Sequence, residues 1–246
     1  QPVLMATIDL VSPIDFEGFR NGARQCVVDG LTPGDVAFQV AGEPGQIRLF
    51  DEQIFNRSEK QAGDPSQTVR VSRTYIDLAP DVVLHRSDDR FDLLYRLLWR
   101  SQREPHLMKI VTDPDVAQAR ELAKNVSRAA HKMKAFVRFR RVEDAPSPSG
   151  GAEHWVAWFE PAHRVLERTA PFFANRFTTM DWTILTPDGR CHWDGTSLKL
   201  GPPASRDEAP SGDPVEDLWT TYYASTFNPA RLKTRAMQSE MPKAYW

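Results

Sequence analysis

Four leucines fall within six positions of the segment RFDLLYRLLWRSQ (residues 90–102), as Leu93, Leu94, Leu97 and Leu98. Asp88 and Asp89 favour the first turn of a helix here, Ser87 can cap it, and Arg100 and Arg103 favour its end. A surface helix needs one apolar stripe, and four leucines at these spacings cover more than a stripe. The segment is therefore predicted to be a largely buried helix, which requires partners on several sides. A chain of 246 residues with 41% hydrophobic and 26% charged side chains can supply them. That is globular composition, with material for one large domain or a domain plus a smaller lobe.

The chain around this helix divides into a small lobe and a main domain. Residues 1–66 read as an N-terminal helix/hairpin lobe. SPIDFEGFR offers Ser12 as a cap and Pro13 at the first helical position, and a hairpin is predicted around Gly42–Gly45. The polar segment 56–67 reads as a surface loop. Residues 67–246 read as the main domain. A second long helix starts at DPDV, with Asp113 as cap and Pro114 first, and runs to about His131. MKAFVRFRRV and EHWVAWFE are predicted strands, joined by a flexible connector at 145–152. A helix follows up to Ala170, where Pro171 kinks or restarts it. Residues 181–200 read as a three-strand meander with turns at Pro187-Asp188-Gly189 and Asp194-Gly195. A loop at 202–214 and two C-terminal helices, 215–227 and 228–237, complete the pattern. The expected fold class is α+β, with an antiparallel sheet of about five strands packed with helices, plus the N-terminal lobe.

Two cysteines, Cys26 and Cys191, exclude a disulfide framework, a four-cysteine zinc site and a self-contained iron–sulfur cluster. A reducing cytoplasm is the expected location. The sequence has no apolar run of membrane-spanning length and no secretory signal at its start. Gln1 is not a natural start, so residues are expected upstream.

Charge is unevenly placed. The whole chain has a net charge of −2, yet residues 120–141 hold eight Lys or Arg and one acid. Arg120, Lys124, Arg128 and Lys132 fall four residues apart, in a row on one helix face. Like charges at that spacing repel by a few tenths of a kcal/mol per pair, so the row is disfavoured unless something anionic answers it. Lys134 extends the basic stretch, and the predicted strand that follows adds Arg138 and Arg140. Phosphate backbone is a natural ligand for such a surface, and pairing with the chain's own acids is the alternative. Eight aromatics lie near in sequence: Trp155, Trp158, Phe159, Phe172, Phe173, Phe177, Trp182 and Trp193. One or two are expected to be free for base stacking and the rest to be core.

The sequence has no phosphate-binding glycine loop and no nucleophile elbow. The histidines lack zinc-site spacing, so no metal site is expected. Polar residues do gather at strand ends. His131, His163, Asp181 and Asp194 are the candidates for acid–base work, with His192 near the last two, and a carboxylate plus a histidine there could instead hold a divalent metal. Asp194 precedes a glycine in a turn, and Asp181 can serve simply as a strand cap.

Several long strings resemble a bacterial domain of unknown function: LYRLLWR (94–100 with its Tyr at 95), TDPDV (112–116), HKMKAFVRFR (131–140), WFEPAHRVLERTAPFFANRF (158–177), DWTILTPD (181–188), HWDG (192–195) and the segment from Thr221 to Trp246. That domain occurs alone or in front of uracil-DNA-glycosylase-like domains of the X type, often encoded beside a radical S-adenosylmethionine protein. The resemblance implies a DNA-binding accessory module of a base-damage repair or DNA-modification system. It implies DNA, a uracil-DNA-glycosylase-like domain (fused or separate) and a radical S-adenosylmethionine protein as partners, with no cofactor in this chain. The chain would be a standalone member or the N-terminal part of a fusion. Arg231, Lys233 and Arg235 become further candidates for phosphate contact. A DNA-processing enzyme (nuclease, lyase or glycosylase) and a protein–protein adaptor are the alternatives.

Overall fold

The computed structural model describes residues 6–40, 69–142 and 153–209. In chain order the elements are β1 (Ala6–Leu10), α1 (Phe16–Val28), β2 (Val36–Val40), α2 (Arg73–Val83), α3 (Arg90–Ser101), α4 (Pro114–Phe136), β3 (Arg140–Val142), β4 (His154–Trp158), α5 (Leu166–Arg176), β5 (Trp182–Thr186), β6 (Gly189–Trp193) and β7 (Leu198–Gly201). They form two compact units, which divide between Ser127 and Arg128. The hairpin expected around Gly42–Gly45, the 56–67 loop, the connector and both C-terminal helices lie outside the described residues. So does the lobe boundary expected at residue 66.

In the first unit, α3 is the buried helix that its leucines require. Leu93, Leu94 and Leu97 are wholly buried and share one core with Leu10, Phe19, Tyr75 and Val116. Ser87 donates its hydroxyl to Asp89, which starts the helix, rather than capping it directly. β1 was not assigned from sequence; it pairs in parallel with β2, with α1 between them. Asp15, not Ser12, caps α1, accepting from the Gly18 N–H at 2.8 Å. Gly30, at φ +73°, ends α1 in a left-handed turn that lets Leu31 N–H reach Cys26 O at 3.0 Å. Tyr95 then donates its hydroxyl to Leu31 O at 2.8 Å, and the buried Arg90 donates to Pro13 O at 3.0 Å. Backbone carbonyls of the N-terminal segment are thereby satisfied by side chains of α3.

Asp113 and Pro114 open α4 as the sequence predicts, with Asp113 accepting from Asp115 N–H and Val116 N–H. The same aspartate meets Arg100 at 2.6 Å, while Asp115 is held by Arg96 and Arg100, each at 2.8 Å. Arg100 holds Asp113 below the usual carboxylate range. Burial pushes Asp115 the other way, but Arg96 and Arg100 outweigh it and its pKa is also lowered. Groups depressed in the folded state stabilise it above their unfolded pKa, and that stability is lost as pH falls through the folded pKa. Arg100→Met is expected to cost about 2 kcal/mol at pH 7, less than the loss of a fully buried pair because the arginine is partly exposed to solvent. The gap between wild type and variant should close between pH 7 and a pH well below the ordinary carboxylate range, where both aspartates are protonated. Urea unfolding at the two pH values checks this; a gap independent of pH would contradict it.

The second unit contains a five-stranded sheet in the order β3-β4-β5-β6-β7. The α+β class holds, but the sheet is mixed rather than antiparallel. β4 and β5 run parallel, and the other neighbours are antiparallel. The reason is the helix between β4 and β5. A helical crossover returns the chain to the starting end of the sheet, where only a parallel strand can follow. The strand expected at MKAFVRFRRV is also shorter. α4 continues to Phe136 because Val126, Ala129, Ala130 and Met133 keep a helical spacing of buried positions, leaving only Arg140–Val142 as β3. Arg138 is therefore not in a strand beside Arg140. It donates to Ala135 O and Val137 O, at 2.7 and 3.0 Å, where α4 ends. Helix α5 continues past Pro171 to Arg176.

Pleating gives the sheet two faces. Trp182 on one face meets the rings of Phe139 and Phe173. The register places His154, Thr183, His192 and Lys199 on the other. The same side carries a small apolar cluster of Val156, Leu185 and Ala204.

Candidate functional site

Three side chains converge at one end of the parallel pair. His154 begins β4 and Asp181 immediately precedes β5. The Trp155 N–H donates to Asp181 O at 3.0 Å, which fixes the two strand starts side by side. His192 on β6 stands opposite Thr183, one step diagonally from Asp181. His154 Nδ1 lies 2.7 Å from Asp181 Oδ1, and His192 Nδ1 lies 3.8 Å from the same oxygen. The side chains of His154, Asp181 and His192 are only 6%, 13% and 12% exposed. Their donor atoms all fall within 4.8 Å of one another, so the trio is a candidate metal centre. Thr183 Oγ1 is 3.0 Å from His192 Nδ1. Burial pushes the pKa of His192 down, with the nearby Asp181 carboxylate opposing, so the ring is neutral at pH 7. A neutral imidazole beside a carboxylate can accept a proton or ligate a metal.

Of the residues expected to do acid–base work, only Asp181 belongs to this set. Asp194 is engaged in the β6–β7 turn. It accepts from the N–H and hydroxyl groups of Thr196 and Ser197, and Lys199 Nζ is 2.9 Å away. Those donors hold its carboxyl far below the usual range. Gly195, at φ +91°, allows that turn. His131 lies on the exposed side of α4, and His163 precedes α5; neither joins the trio. His154 was not singled out from sequence. Its signal is a repeated dipeptide: His154-Trp155, Asp181-Trp182 and His192-Trp193. Each polar member precedes a tryptophan, and Trp155, Trp182 and Trp193 stand in register across three strands.

The basic row is split by the structure. Arg120 turns inward and donates to Met108 O at 2.9 Å. Lys132 and Arg140 are half-buried and engaged. Lys124, Arg128 and Lys134 are exposed, with Glu121 3.5 Å from Lys124 and the Phe172 ring 5.2 Å from Lys134. Arg138 is exposed as well. Arg231, Lys233 and Arg235 lie outside the described residues. Among the expected aromatics, Phe159, Phe173 and Trp182 are core, whereas Phe172 is exposed.

The second unit is thus a helix-backed mixed sheet that carries a buried His–Asp–His trio. The chain belongs to DUF4130, a domain of unknown function, whose match spans residues 88–246. No curated protein and no solved structure matches the chain. Among the described residues, no helix is long and apolar enough to cross a membrane.

Proposed function

We propose that this chain is a DNA-binding accessory module of a base-damage repair or DNA-modification system. It would act with a uracil-DNA-glycosylase-like domain, a radical S-adenosylmethionine partner, or both. The observation that carries this reading is the exposed face of α4. Lys124, Arg128 and Lys134 stand there with a single acid, Glu121, in the helix segment around them. Helical spacing places Lys124 and Arg128 one above the other and Lys134 to one side, in an arc suited to a phosphate backbone. Exposed Phe172 beside Lys134 adds an aromatic surface on which an unpaired base can stack.

The test is binding of labelled duplex and single-stranded oligonucleotides across a salt series. Three to five phosphate contacts give a log–log slope of about −0.9 per contact on duplex, or about −0.7 on single strands. Absence of binding at low salt would overturn the reading.

A DNA-processing enzyme is a second reading, favoured by the buried trio. On that reading, Asp181→Asn would abolish strand cleavage or base release while leaving the salt slope of binding unchanged. A variant that keeps full activity would remove Asp181 from the chemistry.

A further inference from the structure

We propose that His154, Asp181 and His192 form a binding site for one divalent transition-metal ion. The site goes beyond the DNA-binding reading and does not depend on it.

Hydrogen bonding alone leaves the trio incomplete. A neutral imidazole has one N–H and one lone pair. His154 satisfies Nδ1 on Asp181 at 2.7 Å. His192 has Thr183 Oγ1 at its Nδ1, while its Nε2 is buried with no hydrogen-bond partner among the described residues. Exchanging the tautomer does not help, because the same nitrogen is then an unmet donor instead of an unmet acceptor. Buried polar atoms are rarely left this way, and a bound ion is a recognised reason for the exceptions.

The donor set has the chemistry of a metal site. Two imidazoles and one carboxylate suit Zn²⁺ or Fe²⁺, whereas Mg²⁺ and Ca²⁺ call for more oxygens. Cys191, the neighbour of His192 on β6, points to the opposite face by the alternation of the strand, so no thiolate joins. A tetrahedral ion with bonds of about 2.1 Å holds its donors about 3.4 Å apart. The donors here already lie within 4.8 Å of one another, so side-chain rotations that move them by about 1 Å suffice: the wider pairs close in, and His154 Nδ1 and Asp181 Oδ1 open from 2.7 Å as the ion takes the place of the proton between them. The supports are rigid, because three adjacent strands hold the residues in fixed register. Thr183, on His192 Nδ1, is the outer partner that orients a ligating imidazole. Three protein ligands leave a coordination position open, as in catalytic rather than structural zinc sites. That position can take water or an oxygen of a bound ligand.

The experiment uses the whole chain, stripped with a chelator and titrated with Zn²⁺ by calorimetry and with Co²⁺ by visible absorption. One Zn²⁺ per chain is expected, and Co²⁺ should give the d–d bands of a low-coordinate N/O site. His192→Ala and Asp181→Asn should each weaken Zn²⁺ binding by about 100-fold or more, and His131→Ala, on the exposed helix face, should leave it unchanged. Absence of Zn²⁺ binding by the wild type would overturn the proposal. So would a His192→Ala variant that binds as the wild type does, or loss of binding in His131→Ala. Should the strand variants fail to fold, X-ray absorption on the zinc-loaded wild type decides. Two imidazoles in the coordination shell support the site, and fewer than two overturn it.

Discussion

Reversing three charges on α4, as Lys124→Glu, Arg128→Glu and Lys134→Glu together, is expected to weaken DNA binding by about 100-fold or more at moderate salt. Three lost phosphate contacts should also flatten the salt dependence on duplex by a slope of about 2.7. The three side chains are exposed, so the fold should survive. Glutamate is nearly as good a helix former as lysine or arginine. Lys124 and Arg128 are four residues apart and already repel, and two glutamates there repel to a similar degree. At Lys134 a glutamate sits in the last turn, where the helix dipole disfavours it by about 0.3–1 kcal/mol. That cost is small beside the binding effect. Arg120→Met is the contrasting variant. Its guanidinium serves Met108 O, so it should lower stability and leave the salt slope intact. Equal affinities for the triple variant and the wild type would remove α4 from the DNA surface. A drop in Arg120→Met alone would mean that an inward-facing arginine had been misassigned.

What the sequence showed, and what it hid, follows from the range of each signal. The burial of α3 was legible because it is local: four leucines on one helix, whatever surrounds it. The cap of α4 at Asp113-Pro114 was equally local, and so were the turns at 187–189 and 194–195. The direction of β5 was not local. It depends on the α5 crossover, and the helix was visible before its consequence for strand direction was drawn. The end of α4 was misplaced because MKAFVRFRRV offers a weak alternation as well as a helical spacing. Tertiary burial of Met133, whose sulfur receives the Thr169 hydroxyl at 3.1 Å, decides for the helix. The candidate site was only half legible. Asp181 was named, and His192 was placed near it, but His154 lies 27 residues before Asp181, and only strand pairing joins them. Arg120 and Lys132 share the spacing of Lys124 and Arg128, and their spacing alone could not tell which cations would turn inward.

Trp182→Ala should be among the most destabilising single changes in the second unit, costing about 3–5 kcal/mol. Trp182 is wholly buried on β5, the middle strand of the five, where every residue of the strand is buried. Its ring centroid lies 5.5 Å from that of Phe139 and 6.3 Å from that of Phe173. Domain stabilities of about 5–15 kcal/mol leave little after such a loss. Trp182→Phe should behave differently. The indole Nε1 is buried with no acceptor among the described residues, and an unmet buried donor costs about 1–3 kcal/mol. Phenylalanine removes that donor, keeps one ring against Phe139 and Phe173, and leaves a smaller void than alanine. Its net cost should stay within about 1.5 kcal/mol. Urea midpoints for the two variants separate these cases. Equal losses would mean that the indole ring is needed in full. The comparison also reaches the trio on the opposite face. Asp181, just before β5, and Thr183, on it, flank Trp182, and the packing of the ring fixes the strand that positions them. Trp182→Phe should therefore retain Zn²⁺ binding, while Trp182→Ala, by loosening β5, should lose it. Zn²⁺ binding that persists in Trp182→Ala would show that the trio is held by its own strand pairing rather than by the aromatic core beneath it.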